Sequence, residues 1–252
     1  MTRPYIMVAP SGARKTKSDH PEIPISIPDT VETAKSCHEA GADAIHLHVR
    51  NADGSHSIDA GQYREAIGEL KRVVPNMDVQ VSTEYAGIYA VADQLQTLAD
   101  LAPDWASISV REIARDMSLA DRVYGTCADN GTVVQHILFD AADAEQLRHW
   151  QEKGLVRADQ NSAILVLGRY TKDMNSDPEA LVPFVESLPP LRRWMLCAFG
   201  PQEHACLLQA AELGGDIRVG FENSTVDAYG APHMNNADSV RKLVAALAER
   251  GL

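Results

Sequence analysis

The sequence predicts an α/β protein built as one domain, a (β/α)8 TIM barrel spanning residues 1–252. Three observations point there. Short apolar runs alternate with longer amphipathic segments, and the pair recurs eight times along the chain. The length of 252 residues matches the roughly 250 that such a barrel uses, leaving no room for a second domain. The first strand runs into Ala9-Pro10-Ser11-Gly12-Ala13-Arg14, which is neither the glycine fingerprint of a doubly wound dinucleotide sheet nor a phosphate loop.

Taken in order, the apolar runs are Tyr5–Ala9, Ala44–Val49, Val79–Thr83, Ala106–Val110, Val133–Phe139, Ala163–Leu167, Trp194–Phe199 and Ile217–Phe221. Each is short and rich in Val, Ile, Leu or aromatic residues, as strands buried on both faces should be. Between and after them lie helical segments Pro28–Ala40, Ala60–Val73, Ala90–Leu101, Asp116–Ala128, Ala141–Lys153, Asp177–Ser187, Gln202–Leu213 and Ala237–Glu249. In the last, Leu243, Val244 and Leu247 have the spacing of a core-facing stripe. Gly41 and Gly214 stand where left-handed helix ends are expected, and Pro201 where a helix begins. Ser18–Pro28 is the longest loop.

The charge balance, 23 Lys+Arg against 35 Asp+Glu, gives −12. A chain this acidic is not built to bind nucleic acid or a membrane surface nonspecifically. Four cysteines show no Cys-x-x-Cys spacing, so buried reduced thiols are expected. No apolar run reaches membrane length, and the N-terminus lacks a secretory h-region, so the expected location is the cytoplasm.

The chemistry concentrates at strand ends. In Ile45-His46-Leu47-His48-Val49-Arg50 alternation puts His46 and His48 on one face, about 6–7 Å apart along the strand, able to converge on one metal ion. A lone inward histidine would read as a satisfied core residue; two at this spacing point to ligation. Glu222, past the eighth strand in Arg218-Val219-Gly220-Phe221-Glu222-Asn223, is the candidate third ligand. Two His and one carboxylate with an open position suit catalytic Zn2+, one per chain. Ser82 and Thr83 could hydrogen-bond substrate or merely cap. Arg111 and Glu112 could bind substrate or pair with nearby charges. Arg14, Arg50, Arg111 and Arg218 should ring the mouth with positive charge, while Lys15 and Lys17 read as an ordinary solvated loop. His136 could be an extra inward ligand or a core residue.

Together, Ala9-Pro10-Ser11-Gly12-Ala13 with Thr16-Lys17, Gly41-Ala42-Asp43-Ala44 running into the His46-x-His48-x-Arg50 block, Ser82-Thr83, and Arg218-x-Gly220-x-Glu222 resemble the beta-keto acid cleavage enzyme family, typified by 3-keto-5-aminohexanoate cleavage enzymes. The resemblance covers nearly the whole chain. It implies a barrel with zinc on His46, His48 and Glu222, and a Claisen-type exchange of a beta-keto acid with acetyl-CoA that yields a CoA ester and acetoacetate. It also implies a homotetramer or homodimer, and roles for Arg218 and Ser82 in orienting the catalytic group. Two positions depart from the family pattern. Arg14 stands where a glutamate meets a substrate amine, which implies a substrate with an anionic or polar far end. Asn223 stands where an aspartate is the proposed base; an amide does not take protons at neutral pH, so either Asn223 acts in the site only by positioning substrate, or another group such as Glu84 or Glu112 is the base. Two other functions fit the same barrel: a metal-dependent hydrolase or lyase without CoA, and a binding protein that has lost its base.

Overall fold

A computed structural model describes residues 3–252. Its strands and helices, in chain order, are β1 (Ile6–Val8), α1 (Ile27–Glu39), β2 (Ala44–Leu47), β3 (Val49–Arg50), β4 (His56–Ser57), α2 (Ala60–Val73), β5 (Asp78–Ser82), α3 (Val91–Leu101), β6 (Trp105–Ser109), α4 (Val110–Ile113), α5 (Met117–Asn130), β7 (Val133–Leu138), α6 (Ala141–Glu152), β8 (Ser162–Leu167), α7 (Leu181–Glu186), β9 (Arg193–Ala198), α8 (Glu203–Glu212), β10 (Asp216–Val219) and α9 (Asn236–Glu249). Strands β1, β2, β5, β6, β7, β8, β9 and β10 close a parallel barrel, β10 pairing back onto β1. The predicted (β/α)8 architecture is the observed one.

Alternation along each strand sorts side chains into two cores. Ile6, Val8, Ile45, Leu47, Ala106 and Ile108 point outward and pack with the helices in one continuous layer. Met7, Ala44, Ile164, Val166, Met195, Cys197 and Phe199 point inward and fill the barrel. Helices start where a side chain can hold their free amides: Ser26 caps α1, Asp59 caps α2, Asp140 caps α6 and Asn235 caps α9.

The second strand is shorter than its apolar run suggested. It leaves the barrel ladder after Leu47, and Val49–Arg50 turns to pair antiparallel with His56–Ser57. His48 therefore stands at a break between two sheets. Asp53-Gly54 marks the hairpin, with Gly54 in the left-handed region. The segment Asp177–Ser187 forms only a 3-10 turn and the short α7, because Pro183 has no backbone donor for the turn before it; Pro178 starts the 3-10 turn, where no donor is needed. Pro201 lies in the turn before α8, whose cap is Gln202.

A hollow of about 710 Å³ lies at the end where the strands begin, lined by Tyr5, Met77, Trp105 and Arg193 among others. Its size does not make it the site: His46, His48 and Glu222, the group that could hold a metal ion, gather at the opposite end, where the strands finish and barrels of this type place their sites.

Candidate active site

His46 projects inward near the end of β2, and His48 follows it at the strand break. Their Nε2 atoms lie 3.1 Å apart. Glu222 Oε2 lies 3.8 Å from the first and 3.6 Å from the second. Among the described residues this is the group of three that could hold a metal ion. The donor set and spacing fit one: tetrahedral ligands about 2.0–2.1 Å from zinc sit roughly 3.3 Å from one another. Glu222 Oε2 has no hydrogen-bond partner, although it is buried. Burial, and then the Arg218 charge, push His46 down to about 4, and burial pushes His48 well below its ordinary value, so both imidazoles are neutral and able to ligate. Burial would raise the Glu222 carboxyl, but opposing charge, Arg218 above all, outweighs it and lowers the carboxyl below its ordinary value.

The surroundings fix this triangle. Gln80, beside His46 on β5, accepts from Nδ1 at 2.8 Å and donates to Gln135 at 2.9 Å. That bond keeps the proton on Nδ1 and turns the Nε2 lone pair toward the site. Arg218 donates to Glu222 Oε1 at 3.2 Å and leaves Oε2 facing the histidines. Ala9 carbonyl accepts from the Glu222 amide at 3.0 Å, tying β1 to the turn after β10. Gly220 makes that approach possible; at φ +140 a Cβ would meet the Ala9 oxygen at 2.5 Å.

The mouth in front of the triangle is two small connected recesses of about 120 and 70 Å³. Both are lined by Arg14, Glu84, Arg169, Phe199 and Glu222. Glu84, 23% exposed, lies 3.7 Å from Arg14. Burial, with the Glu222 and Glu112 charges behind it, raises its carboxyl to about 7. Its backbone is fixed by Ser82 Oγ, which accepts from the Glu84 amide at 3.2 Å, and by His56 Nε2, 2.8 Å from the Glu84 carbonyl. Glu112 also lines the wall, accepting from the Tyr85 amide at 3.0 Å and Gln94 at 2.7 Å.

Other expected site residues lie elsewhere. Thr83 alternates outward from Ser82 and donates to the Ser107 carbonyl at 3.0 Å, away from the mouth. Arg111 is paired with Asp140 at 2.9 Å and Asp143 at 2.7 Å, with its guanidinium 4.5 Å from the Phe139 ring centre; it props an aromatic wall. Asn223 turns from the mouth and donates to Glu203 at 3.0 Å and the Arg218 carbonyl at 3.1 Å. Arg50 binds the carbonyls of Gly12, Lys15 and Gly54, clamping the first loop. Arg218 lies inside the barrel rather than on a ring of mouth cations, 4% exposed. His136 faces outward, against the Gln160 carbonyl and the Tyr124 ring, so it is no extra ligand.

Lys15 is not the solvated residue its loop suggested; its ammonium reaches the Phe221 carbonyl at 2.7 Å and faces the mouth. Sequence reasoning also passed over Gln80, Arg169 and Glu203. Gln80 was legible by the same alternation that turns Ser82 inward. Arg169 follows the sixth barrel strand as Arg50 follows the second. Glu203, 1% exposed and raised to about 8 by burial, carried no signal because it looks like any first-turn helix acid.

A family model described as beta-keto acid cleavage enzyme matches residues 4–252. The chain belongs to this family. It is similar to the 3-keto-5-aminohexanoate cleavage enzyme of Fusobacterium nucleatum subsp. nucleatum, 26% identical over 259 residues, covering 100% of this chain and 93% of that one. The enzyme of the same name from Acetoanaerobium sticklandii is 27% identical, covering 100% and 94%. The 3-oxoadipate:acetyl-CoA acetyltransferase of Cupriavidus necator is 27% identical over 89% of this chain and 81% of its own. In fold, the chain resembles ObcA in its binary complex with oxaloacetate, with a TM-score of 0.71 at 19% identity. That match covers 92% of this chain, which spans 64% of the ObcA chain's length.

Proposed function

We propose that the protein is a zinc-dependent beta-keto acid cleavage enzyme that exchanges a beta-keto acid with acetyl-CoA, giving a CoA ester and acetoacetate. The observation that carries this reading is the open triangle of His46, His48 and Glu222 with Glu84 standing across the same recess. When bound, the ion supplies Lewis acidity to the keto and carboxylate oxygens of the substrate. His46, His48 and Glu222 would hold it; two nitrogens and one carboxylate suit zinc.

Glu84 is the base. It takes a proton from the substrate carbon between ketone and carboxylate, the role an amide at Asn223 cannot fill. A carboxyl drawn toward neutrality by burial suits that exchange. The Ser82 hydroxyl keeps its oxygen on the Glu84 amide and its proton free to donate to a substrate oxygen. Arg218 orients Glu222 and offsets the negative charge that develops beside it. Glu112 holds the wall behind Glu84, and Arg14 meets the far end of the substrate.

We place the enzyme in the cytoplasm as a homotetramer or homodimer. Its four cysteines are free and buried, which suits a reducing compartment, and among the described residues no helix is long and apolar enough to cross a membrane. The hydrolase alternative loses support with His136, which points out of the barrel. The test is a panel of beta-keto acids incubated with and without acetyl-CoA, with acetoacetate measured. Acetoacetate that appears only with acetyl-CoA supports the proposal; cleavage indifferent to acetyl-CoA rejects it.

A further inference from the structure

The carboxylates and cations of the mouth do not balance. Arg218 answers Glu222 at 3.2 Å, and Arg14 answers Glu84 at 3.7 Å. Lys15 is engaged by the Phe221 carbonyl. The third carboxylate, Glu112, bonds to Tyr85 and Gln94 on the side of Arg115. Arg169 is left over. Among the described residues its side chain meets the Met174 sulfur at 3.4 Å and the faces of Phe199 and Tyr170, 5.2 and 5.9 Å from the ring centres; its charge is felt by Glu84 and Glu222, but it forms no ion pair with either. A guanidinium lining a recess of about 120 Å³ with no anionic partner is a ready receptor for a carboxylate.

Arg14 lines the same recess and is held loosely. It is 59% exposed, and 3.7 Å is a contact between charges and not a good hydrogen bond. It can leave Glu84 at small cost when a better partner arrives. Meanwhile the pair occupies the base: a carboxylate engaged with a guanidinium is a poorer proton acceptor than the same carboxylate released into a half-buried recess.

We propose that Arg169 and Arg14 together receive a second carboxylate at the far end of a beta-keto diacid, and that Arg14 leaves Glu84 to do so, freeing the base only when that substrate is present. The inference rests on the beta-keto acid reading of the site. Arg169 becomes a specificity residue, and Arg14 couples recognition of the tail to proton transfer at the other end. Binding energy from a remote group is then used in the chemical step, appearing in kcat as well as KM.

The experiment compares 3-oxoadipate with 3-oxohexanoate, which has the same length and an uncharged end, in the wild type and in Arg14→Gln, Arg169→Gln and Arg169→Lys. The wild type should favour the diacid in both kcat and KM. Arg169→Gln should raise the KM for the diacid by about tenfold or more, leave the KM for acetyl-CoA unchanged, and be partly rescued by lysine. At about pH 9, where Glu84 is ionised with or without its neighbour, Arg14→Gln should raise kcat for the uncharged acid, because nothing then occupies Glu84. A simple binding role for Arg14 would leave that kcat where it was, and that result overturns the coupling. A rise in the acetyl-CoA KM alone in Arg169→Gln would assign the arginine to CoA phosphates and overturn the diacid site. Calorimetric titration of 3-oxoadipate reads the Arg169 contribution without turnover. Binding that is unchanged in Arg169→Gln rejects the receptor whatever reaction the enzyme performs, whereas arginine-dependent binding with no acetoacetate formed rejects the cleavage reading alone.

Discussion

Gly12 packs directly on Glu222: a Cβ built on this glycine would lie 2.6 Å from the Glu222 Cγ, and its φ of +63 is left-handed. The first loop and Glu222, the proposed third metal ligand, are thus fitted to one another through the absence of a side chain. Gly12→Ala should cost about 1–2 kcal/mol from backbone strain alone. It should also push Glu222 off the histidines and weaken metal binding by about tenfold or more. Chelator competition reads the second effect and thermal melting the first; wild-type metal affinity would show that the loop does not set the ligand.

Gln80 fixes the His46 tautomer. Replacing it with leucine should lower metal affinity by about 10–100-fold while leaving the barrel intact, the range expected for a residue that orients a ligand. His46→Ala should remove the ion altogether. Metal content after dialysis separates the two.

As the proposed base, Glu84 must be ionised to take a proton, so kcat/KM should rise with pH through its folded value of about 7. A divalent cation on the neighbouring Glu222 moves that limb to lower pH, since it cancels the charge that raises Glu84. Glu84→Gln should abolish the limb and lower kcat by at least about 100-fold. A rising limb that persists in this variant would assign it to another group.

Glu203 is raised to about 8 by burial, from an ordinary 4.5. Between those values the folded state holds a proton that the unfolded state has released, so stability should fall as pH rises across that window. Glu203→Gln keeps an acceptor for the Gly220 amide and Asn223 and cannot ionise. Its melting temperature should be flatter from pH 4.5 to 8 than the wild type's. Parallel profiles would locate the pH dependence elsewhere.

Arg111 is spent on Asp140, Asp143 and the faces of Phe139 and Tyr170. Arg111→Met should lower the melting temperature, with a loss of about 1–3 kcal/mol for the orphaned Asp143, and change kcat by no more than about threefold. A collapse of kcat with stability unchanged would return Arg111 to the substrate.

Strand and helix order, barrel closure and the gathering of His46, His48 and Glu222 could all be read from the chain, because each rests on short-range rules. Apolar runs separated by amphipathic ones specify a parallel barrel, period-2 alternation turns His46 inward, and the place of Glu222 at a strand end puts it on the catalytic rim. The same alternation, applied to Gln80, Thr83 and His136, would have sorted those residues correctly. Tertiary structure alone decided which charges are free. Arg14, Arg50, Arg111 and Arg218 look alike in sequence, yet one meets Glu84, one clamps a loop, one props an aromatic wall and one holds Glu222. The physical reason is that a guanidinium reaches across several residues to partners brought near by folding, so its role depends on contacts far away in sequence. Arg169, which among the described residues has neither an ion pair nor a carbonyl to bond, could be recognised only after the others had found their partners.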